Sequence, residues 1–370
     1  MRQLTYLKPG ALRWDEVPEP SLKDSTSALV RPFVVARCDL DAVFLRHNVA
    51  RTLRLGRLLH QVDPSVADTV GTDYLRGPFP MGHECVAEVL EVGADVHGFS
   101  RGDRVVVPFQ ISCGTCPMCT RSLTSQCETH GSFDMFGGIG RDTARGGMLS
   151  DVVLVPQAQR MLIPVPASLD PLDLASASDN LPDAWSRVAP ELLGSPGKDV
   201  LVLGGSARSI SLYCVAFAVA MQASRVDYSD RNSERCAIAS NLGATIVEAP
   251  VAATSRRYDL VVNGSSRRSA IAESIRCLRP GGVCTSMSIY FNKSVPVPFF
   301  QLYAKNLTLK TGLANPMADI PPMLQFIEEH RVDVGAVTSR LAEWNQAPEA
   351  LLDDTTKVVI HRPPMFRREL

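Results

Sequence analysis

Four cysteines lie within fifteen residues, in the run C-G-T-C-P-M-C-T-R-S-L-T-S-Q-C, at Cys113, Cys116, Cys119 and Cys127. Two-residue gaps let neighbouring thiolates reach one ion from a tight turn. The seven-residue excursion returns the fourth thiolate to close a tetrahedron. Four thiolates with no open position suit a structural zinc, whose binding contributes to folding. The rival reading is a disulfide pair. It is disfavoured because a reducing compartment works against structural disulfides and turns clustered thiols toward metal.

A second group of chemistry-bearing residues is scattered. Cys38 and Asp41 lie in R-C-D-L-D, His83 and Glu84 in G-H-E-C, and Asp179 in S-D-N-L-P-D-A-W. Taken singly each has an ordinary explanation. A lone buried cysteine usually packs as a small hydrophobe, and Asp179 fits a helix N-cap ahead of Pro182. A third feature is the strand–turn–helix stretch VLVLGGSARSISL. It begins as a dinucleotide loop at Gly204 and Gly205, but Ser206 and Ser209 occupy the second and third glycine positions of G-x-G-x-x-G. Those glycines allow close approach of the pyrophosphate and of helix to strand. Serine is a small replacement whose hydroxyl can donate to phosphate, and the following helix N-terminus offers N–H groups to an anion. Asp230 ends the next strand, where an acid would take the ribose hydroxyls and favour NAD over NADP. Arg231 beside it, and Arg208 in the loop, are cations that could meet a phosphate.

The elements needed to position these groups are legible. ALVRPFVVA, CVAEVLEV, GDRVVVPF and LSDVVLVP, separated by Gly and Pro, read as an antiparallel β-rich part over residues 1 to about 165. From about 199 to 290 strand and helix alternate. DVLVLGG, RVDYSD, YDLVVNGS and GGVCTSMSIYF read as strands. SISLYCVAFAVAM, SERCAIASNLGA and SAIAESIRCL read as helices. That alternation implies a parallel, doubly wound sheet. A helix, PPMLQFIEEH, and a last strand, KVVI, close the chain. The 370 residues suggest two domains, and 45% hydrophobic with 21% charged residues is ordinary for a globular protein. A net charge of −1 gives no footprint for nucleic acid or an acidic membrane surface. No apolar run reaches the ~20 residues that span a bilayer, and the start shows no apolar signal region, so the expected compartment is the cytoplasm.

In their order along the chain, Cys-x-x-Asp, Gly-His-Glu, Gly-Asp-Arg-Val at 102–105, the cysteine lobe, the nucleotide fold and the KVVI return resemble the zinc-dependent medium-chain dehydrogenase/reductase superfamily. The third ligand position is nearest to the formaldehyde dehydrogenase-like branch. The resemblance implies a GroES-like β-rich catalytic domain with an inserted Rossmann-type domain. The expected limits are 1–179 for the catalytic domain, including the lobe at 113–127, then 180–313 for the nucleotide domain and 314–370 for the return. It implies two zinc ions per chain, one structural and one catalytic. Cys38, His83 and Asp179 would hold the catalytic ion, Glu84 would be able to approach it, and Asp41 would orient the site. Gly204, Gly205, Ser206, Ser209, Asp230 and Arg231 would line the cofactor site, for NAD rather than NADP. A homo-oligomer, dimer or tetramer, acting on a small molecule is expected.

The implied function is hydride transfer between NAD(H) and a small alcohol or aldehyde. Two alternatives are aldehyde dismutation with retained NAD, and a non-redox zinc or binding protein that has lost dinucleotide turnover. Two departures bear on the choice. The positions that often carry a proton-relaying hydroxyl and histidine in the family are Leu40 and Val43, which cannot carry a proton. Zinc-bound water, Glu84 or His47 would have to serve. The separation of Cys38 and His83 is also long for the family. The extra piece within 48–78 includes VARTLRLGRLLHQV, which reads as a surface helix or as a wall of the substrate pocket.

Overall fold

The computed structural model describes residues 1–71, 75–138, 145–248, 251 and 256–366. The first part of the chain runs through strands β1 (Arg2–Lys8), β2 (Ala11–Glu16) and β3 (Ala28–Ala36). Short helices α1 (Asp41–Phe44), α2 (Val49–Leu58) and α3 (Ser65–Val70) follow. Then come β4 (Phe79–Pro80), β5 (Glu84–Val92), β6 (Arg104–Val106), α4 (Pro117–Thr120), β7 (Val153–Val155), α5 (Ala158–Met161) and β8 (Ile163–Pro164). The middle part comprises α6 (Asn180–Leu192), β9 (Asp199–Leu203), α7 (Arg208–Ala220), β10 (Arg225–Ser229), α8 (Ser233–Asn241) and β11 (Thr245–Ile246). It continues with β12 (Tyr258–Asn263), α9 (Ala270–Arg276), β13 (Leu278–Ser286), α10 (Phe299–Ala304) and β14 (Thr308–Thr311). The return consists of α11 (Pro316–His330), β15 (Arg340–Glu343), α12 (Ala347–Ala350) and β16 (Val358–His361).

β3 is apolar on both faces and nearly all buried, so it sits at the centre of a sheet. It pairs antiparallel with β5, β7 and β16, and the order β15-β16-β3-β5-β6-β8 makes a GroES-like β domain. The return strand β16 therefore completes the sheet begun by the N-terminal part. The middle sheet runs β11-β10-β9-β12-β13-β14, all parallel, which is the order of a Rossmann-type sheet. Its strand order reverses between β9 and β12, and ligands bind at the carboxyl ends beside that reversal.

α7 is apolar all round, and its residues from Ser209 to Ala218 are buried between the sheet and α6. Truncating a side chain such as Phe217 there would cost about 3–5 kcal/mol. α11 lies within 314–370, the segment expected from sequence to be the return. Its Met323, Leu324 and Ile327 nevertheless pack in the same core as Val200, Leu212 and Leu260. The strand read from GGVCTSMSIYF ends at Ser286, and the chain then leaves the sheet. Tyr290 Oη donates to Ser265 O at 2.7 Å and lies 2.9 Å from Asn263 Nδ2, so local side-chain bonds replace the ladder. Among the described residues no helix is long and apolar enough to cross a membrane.

Candidate metal centres and nucleotide crevice

The four lobe cysteines lie with their sulfurs within 4.8 Å of one another. N–H groups already point at them. Cys113 Sγ accepts from Thr115 N at 3.4 Å and Cys116 N at 3.3 Å, and Cys116 Sγ accepts from Glu128 N at 3.4 Å. Burial opposes ionisation of Cys113. Hydrogen bonds from Thr129, Thr115 and the backbone outweigh it and hold the thiol at about 5. Cys116 is lowered by backbone N–H groups, whereas burial and the neighbouring thiols raise Cys119. Thiolates crowded this closely repel unless a cation joins them, so the donor set fits zinc. The lobe is fixed to α11 by Ser125 N donating to Asn315 Oδ1 at 3.0 Å.

The second cluster is assembled from three separate places. Cys38 follows β3, His83 precedes β5, and Asp179 precedes α6. Their donor atoms also lie within 4.8 Å of one another. His83 Nε2 is 3.3 Å from Asp179 Oδ2. Asp179 occupies the N-cap position of α6 but makes no capping hydrogen bond with its side chain, which turns to His83 instead. Asp41 Oδ2 accepts from Cys38 N at 3.1 Å, and Asp41 Oδ1 faces His83 Nδ1 at 3.8 Å. Neither of those facing atoms has a hydrogen-bond partner among the described residues. Asp41 thus spans the Cys38 backbone and the far side of the His83 ring. Phe109 lies against that ring, with centroids 5.8 Å apart.

The electrostatics of this cluster call for a cation. Burial, with Asp179, Asp41 and Glu84 nearby, pushes the Cys38 thiol well up. Burial opposes a charged His83, yet the same carboxylates outweigh it and raise the imidazole to about 9. A cysteine, a histidine and a carboxylate around one point, inside a surplus of acid, fit a dication with one position left open.

Glu84 is differently placed from the expectation that it can approach the metal. It is completely buried, with Oε2 on Lys357 Nζ at 2.8 Å and on Ser176 Oγ at 3.0 Å, and Oε1 accepting from Asn180 N at 3.1 Å. Both oxygens are engaged, and a buried ion pair is costly to break. Burial opposes the charge on Lys357, but Glu84 holds it above its ordinary range. Asn180, also fully buried, joins this pair to the site. In the orientation that pairs its amide with the surrounding charges, nitrogen donates to Asp179 and Glu84, and oxygen accepts from Lys357. Lys357, Asn180 and Phe109 were not singled out from sequence. A lysine leading an apolar strand, K-V-V-I, was the available signal, since a buried charge needs a partner. His47 is exposed, so it does not extend the site inward.

The nucleotide crevice also departs from expectation. Gly204 and Gly205 are required by close packing, as a Cβ on Gly205 would come within 2.9 Å of Ser265 Cα. Ser206 Oγ, however, donates to Gly264 O at 3.2 Å and accepts from Ser266 N at 3.0 Å, bridging the ends of β9 and β12. Ser209 is buried, and its N–H and hydroxyl go to Asp39, so the α7 N-terminus does not present free Ser209 donors to an anion. Asp230 is held by Arg235 through two bonds of 2.7 and 2.8 Å and by Tyr228 Oη at 3.0 Å. Arg231 is exposed, and Arg208 pairs with Asp354 at 2.8 Å. The topology fits a dinucleotide, while Ser206, Ser209, Arg208 and Asp230 are engaged with the protein.

Of the extra piece at 48–78, residues 72–74 lie outside the described residues. α2 is a surface helix, with Val49 and Leu53 turned to the core and Leu55, Leu58 and Leu59 exposed. Beyond it, Asp63 N donates to Phe291 O and Lys293 N to Gln61 O, both at 2.9 Å. The piece therefore ties the catalytic part to the segment that follows β13.

Comparison with known proteins gives a consistent result. Residues 27–167 match the alcohol dehydrogenase GroES-like domain family, and residues 209–329 match the zinc-binding dehydrogenase family. A Mycobacterium tuberculosis protein named "Probable zinc-binding alcohol dehydrogenase" is 27% identical over 355 residues, covering 94% of this chain and 83% of the relative. A glutathione-independent formaldehyde dehydrogenase from Pseudomonas aeruginosa is 28% identical over 260 residues, 67% of this chain and 58% of that protein. The solved alcohol dehydrogenase from Thermus sp. ATN1 superposes with a TM-score of 0.80 at 26% identity, covering 98% of this chain and 99% of that one.

Proposed function

This chain belongs to the zinc-dependent medium-chain dehydrogenase/reductase superfamily, and on that premise we propose that it is an oxidoreductase interconverting a small alcohol and aldehyde with NAD(H). The observation that carries the reading is the convergence of Cys38, His83 and Asp179 on one buried point. These three residues would hold the catalytic ion, and the lobe cysteines a structural one. Bound zinc supplies Lewis-acid polarisation of a substrate oxygen, and the nicotinamide supplies the hydride acceptor.

The protein's own groups set the stage for that chemistry. Asp41 fixes the Cys38 backbone and faces His83 Nδ1, which leaves Nε2 for the ion. The Glu84–Lys357 pair stands behind the cluster and supports Asp179 through Asn180. Phe109 contributes an apolar wall beside the His83 ring. Leu40 and Val43 carry no proton, so the alcohol proton leaves without a hydroxyl relay at those positions. The small alcohol or aldehyde substrate is supported by the names of the relatives, a formaldehyde dehydrogenase among them.

A second copy of the chain is the proposed partner. β14 is an edge strand of the parallel sheet, and close to it in sequence Phe299, Phe300 and Tyr303 are exposed, Phe300 by 79%. An apolar surface beside an open edge favours pairing. The reading places the protein in the reducing cytoplasm, where two thiolate sites stay reduced.

A non-redox zinc protein is the second reading, favoured by the engaged donors at the start of α7. Metal analysis and a fluorescence titration with NADH and NADPH separate the two. About two zinc per chain and micromolar NADH binding support the oxidoreductase. Zinc without binding of either nucleotide overturns it.

A further inference from the structure

We propose that Asp39 is an internal anion occupying the phosphate position of the nucleotide crevice, so that its charge sets how tightly this chain holds a dinucleotide. The inference rests on the nucleotide reading given above and names the residue that limits it. Asp39 comes from the β-rich catalytic part, directly after Cys38, and is separated by 170 positions from the helix it touches. Its carboxylate accepts from Ser209 N at 2.9 and 3.1 Å, from Ser209 Oγ at 2.7 Å and from Ile210 N at 3.2 Å. Two residues before Ser209, the N–H of Ala207 goes to Gly264 O at 2.8 Å. Asp39 is only 5% exposed, so its charge is poorly screened by solvent.

The start of α7 is where a bound pyrophosphate would gain most, because unpaired N–H groups and the helix dipole converge there. One carboxylate already draws on both. A pyrophosphate brought to the same place would find these donors engaged and meet a like charge at short range in a medium of low dielectric constant. Binding therefore requires Asp39 to be displaced or its repulsion to be overcome. The crevice carries a second, independent sign of self-occupation. Ser206 bridges the ends of β9 and β12 at the point where strand order reverses, so the loop beside the phosphate position is also tied to protein.

The test is a set of titrations of the zinc-loaded, full-length protein with NADH, ADP and adenosine. Asp39→Asn keeps an oxygen for the Ser209 and Ile210 N–H groups and removes the charge. Asp39→Gly removes the side chain altogether. Each is expected to bind NADH and ADP about tenfold tighter than wild type, with adenosine, which has no phosphate, unchanged. Either variant that folds and retains zinc decides the matter. The unmodified protein provides a control independent of folding, because adding a diphosphate to adenosine should not improve its binding. Wild-type ADP binding tenfold tighter than adenosine overturns the proposal. Micromolar NADH binding that is equal in wild type and variants also overturns it, and leaves the nucleotide reading standing. No binding of NADH or ADP by any form, with zinc retained, removes both.

Discussion

The two candidate metal clusters use related donors and are built in opposite ways. The lobe takes four thiols from one loop of fifteen residues, and its sulfurs are surrounded by N–H groups of the same loop. The cleft cluster takes Cys38, His83 and Asp179 from three segments far apart in the chain and supports them with a buried ion pair from a fourth, at Lys357. A closed, local set of like donors stabilises structure. A mixed set with fewer donors, held from behind by Asp41, Asn180 and Glu84, leaves a position open for chemistry. Four donors in one place would thus serve folding, and three in the other would serve reactivity.

That contrast can be broken by substitution, beginning with the largest expected effect. His83→Ala should lower turnover by about a thousandfold or more and leave about one zinc per chain, in the lobe. Substrate assays with metal analysis check it, and a variant that keeps both its rate and its metal sinks the catalytic assignment. Cys116→Ser should show the reverse pattern, with loss of the lobe ion and a fall in melting temperature of about 10 °C. Calorimetry with metal analysis would read an unchanged transition and full zinc content as evidence against a structural site.

Lys357→Met sharpens the cleft side of the comparison. It leaves Glu84 buried and unpaired, which should cost about 3–5 kcal/mol in denaturant unfolding. Adding Glu84→Gln should recover much of that loss, and additive losses would show that the pair is not coupled. The smallest effect is expected at Asp319, whose Oδ2 accepts from Asn315 N and so steadies the contact between α11 and the lobe. Burial raises its carboxyl from 3.8 to about 6. A raised acid favours the protonated folded state, so the cost of ionising it is absent below about pH 3.8, grows with pH and is complete above about 6. Asp319→Asn should therefore melt slightly above wild type at pH 7.5, with the gap narrowing toward pH 4. A gap that widens on acidification has the wrong sign.

Much of the fold was legible because its signals are short-range. The apolar run ALVRPFVVA becomes the central strand β3, and the alternation of apolar strands and helices after residue 199 becomes the parallel sheet. The strand reading overran after Ser286, where Tyr290 and Asn263 substitute side-chain bonds for a ladder. β14 and α10 went unread, since β14 (T-L-K-T) is short and mostly polar, and α10 is short with its aromatic residues exposed.

Sequence alone determined the order of the two architectures, the family and the closeness of the four lobe cysteines, because each rests on short motifs or on their order along the chain. Only tertiary structure decided where the long-range partners go. Asp179 stands at a helix cap yet turns to His83, Glu84 turns to Lys357 instead of toward the metal cluster, and Asp39 reaches across to the first turn of α7. In each case a short acidic side chain had several acceptable local partners. Burial removed water as one of them, and the packing of distant segments selected which donor remained within reach.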